Sequence, residues 1–467
     1  MLFGRTEEIN RLNEYYDGTG NSLVMLYGRS NIGKTALIRE FIKGKKAFYY
    51  NSALASEKEQ IELLAENMIS AGLVEDYEYE GIKELASDDT YAQYAHLLKN
   101  TAKIDSDMKL IVIEEFQNIV KNNKNFMAVI DDLVRGKFYN DKVMVIVTSS
   151  SVSWVENSMV SAIGNHAMAI STFIKLKELT FVDIVRMFPH HSVLDDMVIY
   201  AVTGGVPGYL CQFSDRLTLR DNIVTNVLKN GTMLRSAGSD YIKEELRETS
   251  LYNTILYCIS SGENKLNELH AHTGFGRDKI SVYLKNLIER EVVEKIYSYD
   301  YGGKEYTKKG LYRIKSGFTE FWFRFIYPNE SQLNILEPEE FYDKYIAQYI
   351  YGFAKEAFVK VGTEFIQLLD SMNRLEIKIS RMGRWWGKQG DIDIIACDTD
   401  DKYLVGKCNW DSETFTFMMF EELMLNVAQA GVGSDYIYLF SKDTFDGELR
   451  SFAKDNANVK LISLKEL

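Results

Sequence analysis

SLVMLYGRSNIGKTALIREFI, residues 22 to 42, joins an apolar run of strand length to a loop with two glycines and then to apolar residues at helical spacing. Leu37, Ile38, Phe41 and Ile42 share one face of the helix this spacing predicts. The loop GRSNIGKT (28–35) fits G-x-x-x-x-G-K-[ST], a pattern expected by chance in only about 2 of 100 chains of this length. Gly28 and Gly33 let the backbone wrap so that N–H groups from Ser30, Asn31, Ile32, Gly33, Lys34, Thr35 and Ala36 face phosphate oxygens at a helix N-terminus. Lys34 would reach the β- and γ-phosphates, and Thr35 would offer its hydroxyl to Mg²⁺. ATP with Mg²⁺ is the expected ligand.

A phosphate loop alone does not hydrolyse, and IVIEEFQ (111–117) supplies the missing carboxylates at the end of an apolar strand. Glu114 is placed to hold the metal shell and Glu115 to orient or deprotonate the attacking water. Glutamate at the first position, where aspartate is usual, adds a methylene and predicts loose metal geometry and slow turnover. VMVIVT (143–148) leads to Ser149, a candidate γ-phosphate sensor. With AFYY (47–50) and AMAIST (167–172), these runs predict a parallel sheet of about five strands alternating with helices.

At 467 residues the chain calls for two to four domains. A net charge of −13 excludes indiscriminate coating of nucleic acid, so contact with DNA requires a local basic surface. No apolar run reaches the roughly 20 residues of a membrane span. Cys211, Cys258, Cys397 and Cys408 lack C-x-x-C spacing, which argues against zinc or a disulfide framework and for a cytoplasmic protein.

FGRTEEINRL (3–12), GRSNIGKT, IVIEEFQ and TGGVPGYL (203–210) occur in an order that resembles archaeal and bacterial P-loop ATPases of the AAA/STAND type. The resemblance implies that Arg5 lies beside the nucleotide base and that Gly204, Gly205 and Pro207 belong to a small helical lid touching the nucleotide. Many members carry Gly-Arg before the last strand. This chain reads IGNHA (163–167), and Asn165 cannot replace an arginine that stabilises charge.

Residues 251 to 315 read as three helices and a charged hairpin, a winged helix-turn-helix. Between 265 and 315 eleven Lys/Arg face seven Asp/Glu, an excess of four positive charges in an acidic chain. On the third helix Ile280, Leu284, Leu287 and Ile288 form the apolar face. Arg277, Lys279, Tyr283 and Asn286 are candidates to face a groove of double-stranded DNA, with Lys308 and Lys309 on the wing at phosphates. Packing within the chain or against a protein partner stays open for this module. Phe318, Phe321, Trp322 and Phe325 fit a helix packed between domains, with ordinary core packing as the preferred reading.

The tail reads LEIKIS (375–380), GDIDIIACD (390–398), KYLVGKCNW (402–410), a helix, DYIYLFS (435–441), a helix and VKLISL (459–464). This order resembles the PD-(D/E)XK nuclease core, whose chemistry needs an Asp on one strand and acid-x-Lys on the next. Asp393 fits the first acid, Asp391 shares its face, and Glu364 could add a third carboxylate. The second half departs: where the resemblance implies Gly-acid-Cys-Lys-Trp, the chain has Gly406, Lys407, Cys408, Asn409 and Trp410. Lys407 would neutralise Asp393, Asn409 carries no charge, and no useful cleavage is expected unless Lys388 or Lys402 substitutes.

The expected fold is α/β: a P-loop ATPase core (1–175), a helical lid (176–245), a winged helix-turn-helix (246–330) and a restriction-endonuclease-like domain (331–467). The expected function is an ATP/ADP switch, slow to hydrolyse, that acts on DNA, a protein partner or further copies of itself, without a membrane. An active ATP-regulated nuclease and a STAND-like scaffold with protein partners alone are the alternatives.

Overall fold

The computed structural model describes residues 3–83, 89–121, 123–238, 249–299, 310–388 and 390–467. It divides into two units, Met1–Glu178 and Leu179–Leu467.

The first unit is built on five parallel strands: β1 (Ser22–Tyr27), β2 (Ala47–Asn51), β3 (Met108–Glu114), β4 (Lys142–Ser149) and β5 (Thr172–Lys175), in the order β2-β3-β4-β1-β5. Helices cover both faces. For that reason β1 and the Leu110–Ile113 stretch of β3 are apolar without alternation, and both strands are buried throughout, as a parallel sheet demands. The last strand begins five residues later than AMAIST predicts, because residues 164–169 form a 3₁₀ turn that holds Asn165 at the surface. Helix α1 (Thr6–Tyr16) precedes the sheet, and α2 (Lys34–Ile42) follows β1 directly across the loop.

The second unit opens with helices, among them Val193–Thr203 and the short Pro207–Leu210, in the stretch expected to form a lid. Three helices follow, Thr249–Ser260, Leu266–Thr273 and Arg277–Glu289, and then an antiparallel ribbon of β6 (Val293–Ile296) and β7 (Leu311–Ile314). Of the third helix's predicted apolar face, Ile280, Leu284 and Leu287 are buried, whereas Ile288 is exposed. Lys308 and Lys309 lie outside the described residues.

Residues 316–329 pack against several of these parts. Phe318 packs on Tyr209 at 4.8 Å, Tyr327 on Tyr257 of the first helix at 5.8 Å, and Phe325 on Phe353 at 5.6 Å. Beyond them, the helix Lys355–Ser371 leads into a sheet of β8 (Arg381–Trp386), β9 (Asp391–Cys397), β10 (Tyr403–Asn409), β12 (Tyr436–Ser441) and β14 (Val459–Ser463), ordered β14-β12-β10-β9-β8. β8, β9 and β10 are antiparallel neighbours, while β10, β12 and β14 run parallel through the helices Phe417–Ala430 and Gly447–Asp455. β11 (Thr414–Phe415) and β13 (Thr444–Phe445) form a two-residue pair at one edge. The first strand here is RMGRWW. LEIKIS, predicted as a strand, is irregular.

Candidate functional site

The phosphate loop takes the shape its glycines permit. Gly33 has φ 95° at the N-terminus of α2, a conformation that favours glycine, and Asn31, with φ 64°, is a residue type that tolerates it. A Cβ on Gly28 would stand 2.9 Å from the Leu176 carbonyl, so only glycine lets the loop start this close to the chain that follows β5.

Lys34 is buried and donates to the carbonyls of Gly28 at 2.8 Å and Arg29 at 3.2 Å. Burial lowers its pKa, and the nearby charges of Glu115 and Glu114 pull the other way. A buried ammonium held by neutral carbonyls at a helix N-terminus is a ready partner for phosphate. Thr35 donates its hydroxyl to Glu114 Oε2 at 2.9 Å, and Tyr49, from β2, donates to the same oxygen at 2.9 Å. Burial first, and the Glu114 bond second, push the Tyr49 phenol up to about 12, so it stays a donor. Glu114 Oε1 is buried without a hydrogen-bond partner. An orphaned carboxylate oxygen beside a threonine hydroxyl is a donor set suited to Mg²⁺.

Glu115 has φ 51°, and its Oε2 accepts from Ser150 N–H at 3.2 Å, Ser150 Oγ at 2.6 Å and Gln117 Nε2 at 2.5 Å. Ser149 is buried and accepts from Ser151 N–H at 3.1 Å, so Ser150, one residue beyond the proposed sensor, is the serine that touches the acid. Sequence reading gave no role to Tyr49, Gln117 or Ser150, although Tyr49 lies in AFYY and Gln117 closes IVIEEFQ, because only the fold brings them to the two acids. The guanidinium of Arg5, expected at the base, donates to the carbonyls of Ile32 at 3.1 Å and Lys177 at 2.6 Å, bracing the phosphate loop against the segment after β5. Pro207 belongs to the second unit, at the first position of Pro207–Leu210.

In the second unit a cavity of about 490 Å³ opens over β8, β9 and β10. Lys407 Nζ sits 2.7 Å from Asp391 Oδ1 and 3.3 Å from Asp393 Oδ2. Arg384, from β8, reaches Asp393 Oδ1 at 3.3 Å and Glu356 Oε2 at 2.7 Å, and Arg313 of β7 meets the same Glu356 oxygen at 3.2 Å. Burial works against the charge of Lys407, but Asp393 and Asp391 raise its pKa, so it is held as an ammonium. Burial also opposes the charge of Asp391, and Lys407 and Arg384 overcome it, holding that carboxyl below its ordinary value.

Asn409 turns away to Ser412, donating to its Oγ at 2.9 Å. The carboxylate that joins Asp391 and Asp393 in this ion-pair cluster is Glu356, two helical turns before the expected Glu364, which instead accepts from Tyr200 at 2.5 Å. On the third helix Arg277, Lys279 and Lys285 are exposed, while Asn286 donates to the Tyr252 hydroxyl at 2.8 Å and Tyr283 stacks on the same ring at 4.6 Å. Those last two residues therefore face inward, away from a groove.

A parallel sheet with this loop between β1 and α2, and acids at the end of β3, defines a P-loop ATPase. Residues 2–213 match the family described as an ATPase domain predominantly from Archaea. Over 414 residues the chain is 31% identical to the uncharacterized protein MJECL04 of Methanocaldococcus jannaschii, covering 88% of each. The chain belongs to that protein's family and is an ATP-binding P-loop ATPase of the archaeal kind. Residues 322–423 match a family described as archaeal and bacterial proteins of unknown function. A Walker-type ATPase of Pyrococcus abyssi is similar in structure at 15% identity, with a TM-score of 0.48 over 69% of this chain and 96% of that one. The Aeropyrum pernix ORC2 protein, solved in ADPNP–ADP complexes, is similar at 13% identity with a TM-score of 0.41, over 72% of this chain and 95% of that one.

Proposed function

We propose that the chain is a slowly hydrolysing ATP switch whose output is binding, to double-stranded DNA or a partner, and not cleavage. The observation that carries the second half is Lys407, whose ammonium lies on both Asp391 and Asp393, with Arg384 on the far side of Asp393. Two fixed cations stand where a nuclease of the PD-(D/E)XK type would hold a divalent metal. When bound there, such a metal activates water and stabilises the charge that builds on phosphate. Here Asp393 is already paired, so the mixed sheet is read as a nuclease-like fold without its reaction.

The first half rests on the loop, on Lys34 and on the free oxygen of Glu114. Thr35 and Glu114 would hold Mg²⁺, Glu115 would orient the attacking water, and Lys34 would hold the phosphates. The three-helix module with its ribbon is read as a winged helix, with Arg277, Lys279 and Lys285 exposed for phosphates of the DNA backbone. Lid, winged helix and C-terminal sheet share one unit, cross-linked by Tyr200 to Glu364 at 2.5 Å and Tyr351 to Asp195 at 2.8 Å. A lid that responds to ATP against ADP would carry the other two with it.

A protein-only output is the second reading, favoured by Tyr283 and Asn286 facing Tyr252. Supercoiled plasmid incubated with the chain, ATP and Mg²⁺ or Mn²⁺ tests the assignment. Intact plasmid with retarded migration is expected. Nicking by wild type that vanishes in Asp393→Ala would restore the nuclease reading, and unretarded plasmid would leave the protein partner.

A further inference from the structure

We propose that Cys258, Glu263 and His272 form a binding site for one zinc ion where the first two helices of the three-helix module meet. Cys258 is fully buried in the last turn of Thr249–Ser260, Glu263 stands in the turn that follows, and His272 is in the last turn of Leu266–Thr273. One donor atom from each lies within 4.8 Å of the other two. His272 Nδ1 is 2.7 Å from Glu263 Oε1, and the Glu263 charge stands close to the Cys258 thiol. Glu263 Oε2 is buried and meets no nitrogen or oxygen donor; the Cys258 thiol, which bonds to this carboxylate, is a weak donor and leaves it poorly satisfied.

Sulfur, imidazole nitrogen and carboxylate oxygen converging on one point is the ligand mixture that suits Zn²⁺, which bonds all three at about 2.0–2.3 Å. A thiolate and a carboxylate together neutralise the ion's charge. Three protein ligands leave a fourth position for water on the side of His272, which is about half exposed. The ion would fix the turn between the helices. The same turn carries the Asn264 carbonyl, which accepts from Tyr312 N–H of β7 at 2.8 Å, so the metal would also set the base of the ribbon. Cysteine spacing gave no sign of this site, because two of its three ligands are not cysteines. The inference is independent of the nucleotide and DNA readings.

The test uses the full chain, stripped with a chelator and titrated with Co²⁺, then with Zn²⁺ against a chromophoric chelator. One equivalent of Co²⁺ is expected to raise a thiolate-to-metal charge-transfer band that Zn²⁺ abolishes. Cys258→Ala should remove the band, and His272→Ala and Glu263→Gln should weaken Zn²⁺ at least tenfold. His272 is near the surface, so its variant keeps the fold, and Zn²⁺ should raise the melting temperature of wild type but not of His272→Ala. Absence of the band in wild type, its survival in Cys258→Ala, or unchanged affinity in His272→Ala overturns the proposal.

Discussion

Glu115 sits in a left-handed backbone conformation and gives one oxygen to Ser150 and Gln117, so its carboxylate is fixed by groups other than Lys34, which donates to the Gly28 and Arg29 carbonyls. Binding and turnover should therefore separate. Glu115→Gln is expected to keep ATP affinity within about threefold and cut phosphate release by about 10²-fold or more, whereas Lys34→Ala should lose fluorescent-nucleotide binding at least tenfold. Equal losses of affinity in both variants would contradict the roles given to them.

In the C-terminal pocket, Lys407→Glu combined with Asn409→Lys rebuilds acid-x-Lys. Calorimetric titration of that double variant with Mn²⁺ should show binding about tenfold tighter or more than wild type, and an unchanged isotherm would mean that Lys407 is not what excludes the metal. Asp196 gives a pH signature. Burial first, then Asp195 and Asp215, push this carboxyl up to about 7, its Oδ1 has no hydrogen-bond partner, and the residue is 1% exposed. Between pH 4 and 7 the unfolded chain loses its proton first, so this residue lowers stability as pH rises through that window and by a constant amount above it. Asp196→Asn should be more stable than wild type at pH 8 by on the order of 2–4 kcal/mol, with the gap closing near pH 4 in denaturant melts.

The phosphate loop was legible in the sequence because its residues are consecutive and each does its work through the backbone. Glu356 and Arg384 were not. One stands two turns from the acid that looked right, and the other lies on a strand that the sequence placed six residues too early.

That misplaced strand shows where patterns of this scale lose their hold. LEIKIS alternates better than RMGRWW, yet RMGRWW pairs with β9, with a shift between Gly383 and Trp385, because its Trp385 packs into the core of the C-terminal sheet. Alternation records that a segment has two faces, and long-range pairing decides which segment joins the sheet. Tyr283 and Asn286 fell on the polar side of a helical wheel, but Tyr252 on the first helix draws them in, which no spacing within one helix reveals. Residues 316–329 bury their rings among neighbouring elements of the second unit, since so many rings have no other cover. At the start of that segment Gly317 passes Gly204 so closely that a Cβ on Gly317 would run into the Ala201 carbonyl. Backbone cannot yield as a side chain would. Gly317→Ala is expected to cost about 2–3 kcal/mol in chemical denaturation, and a cost below about 0.5 kcal/mol would mean that the lid and this segment are not locked at that crossing.

Across the whole molecule, the phosphate-loop sheet, the three helices with their ribbon and the C-terminal mixed sheet each carry a local signature in the sequence. What the chain does with them depends on transmission. Within the second unit, Arg313 of the ribbon, Glu356, Arg384, Asp393 and Lys407 form one continuous series of ion pairs from β7 to β10. Each group in it faces an oppositely charged neighbour, with burial pushing the Asp393 carboxyl above its ordinary value against both cations, so the ribbon and the pocket should respond together. In the proposed switch the nucleotide state would enter through the helix Val193–Thr203, which is bonded to the C-terminal part at Asp195 and Tyr200.

The measurement that tests this account most directly is equilibrium anisotropy of a labelled DNA duplex with the Glu115→Gln chain. It is saturated in turn with Mg·ATP and Mg·ADP, at two salt concentrations. The account predicts salt-sensitive binding whose affinity differs at least about fivefold between the two nucleotides, the lower end of ordinary allosteric coupling. Affinity that is the same with ATP, ADP or no nucleotide, or absent in all three, would contradict it.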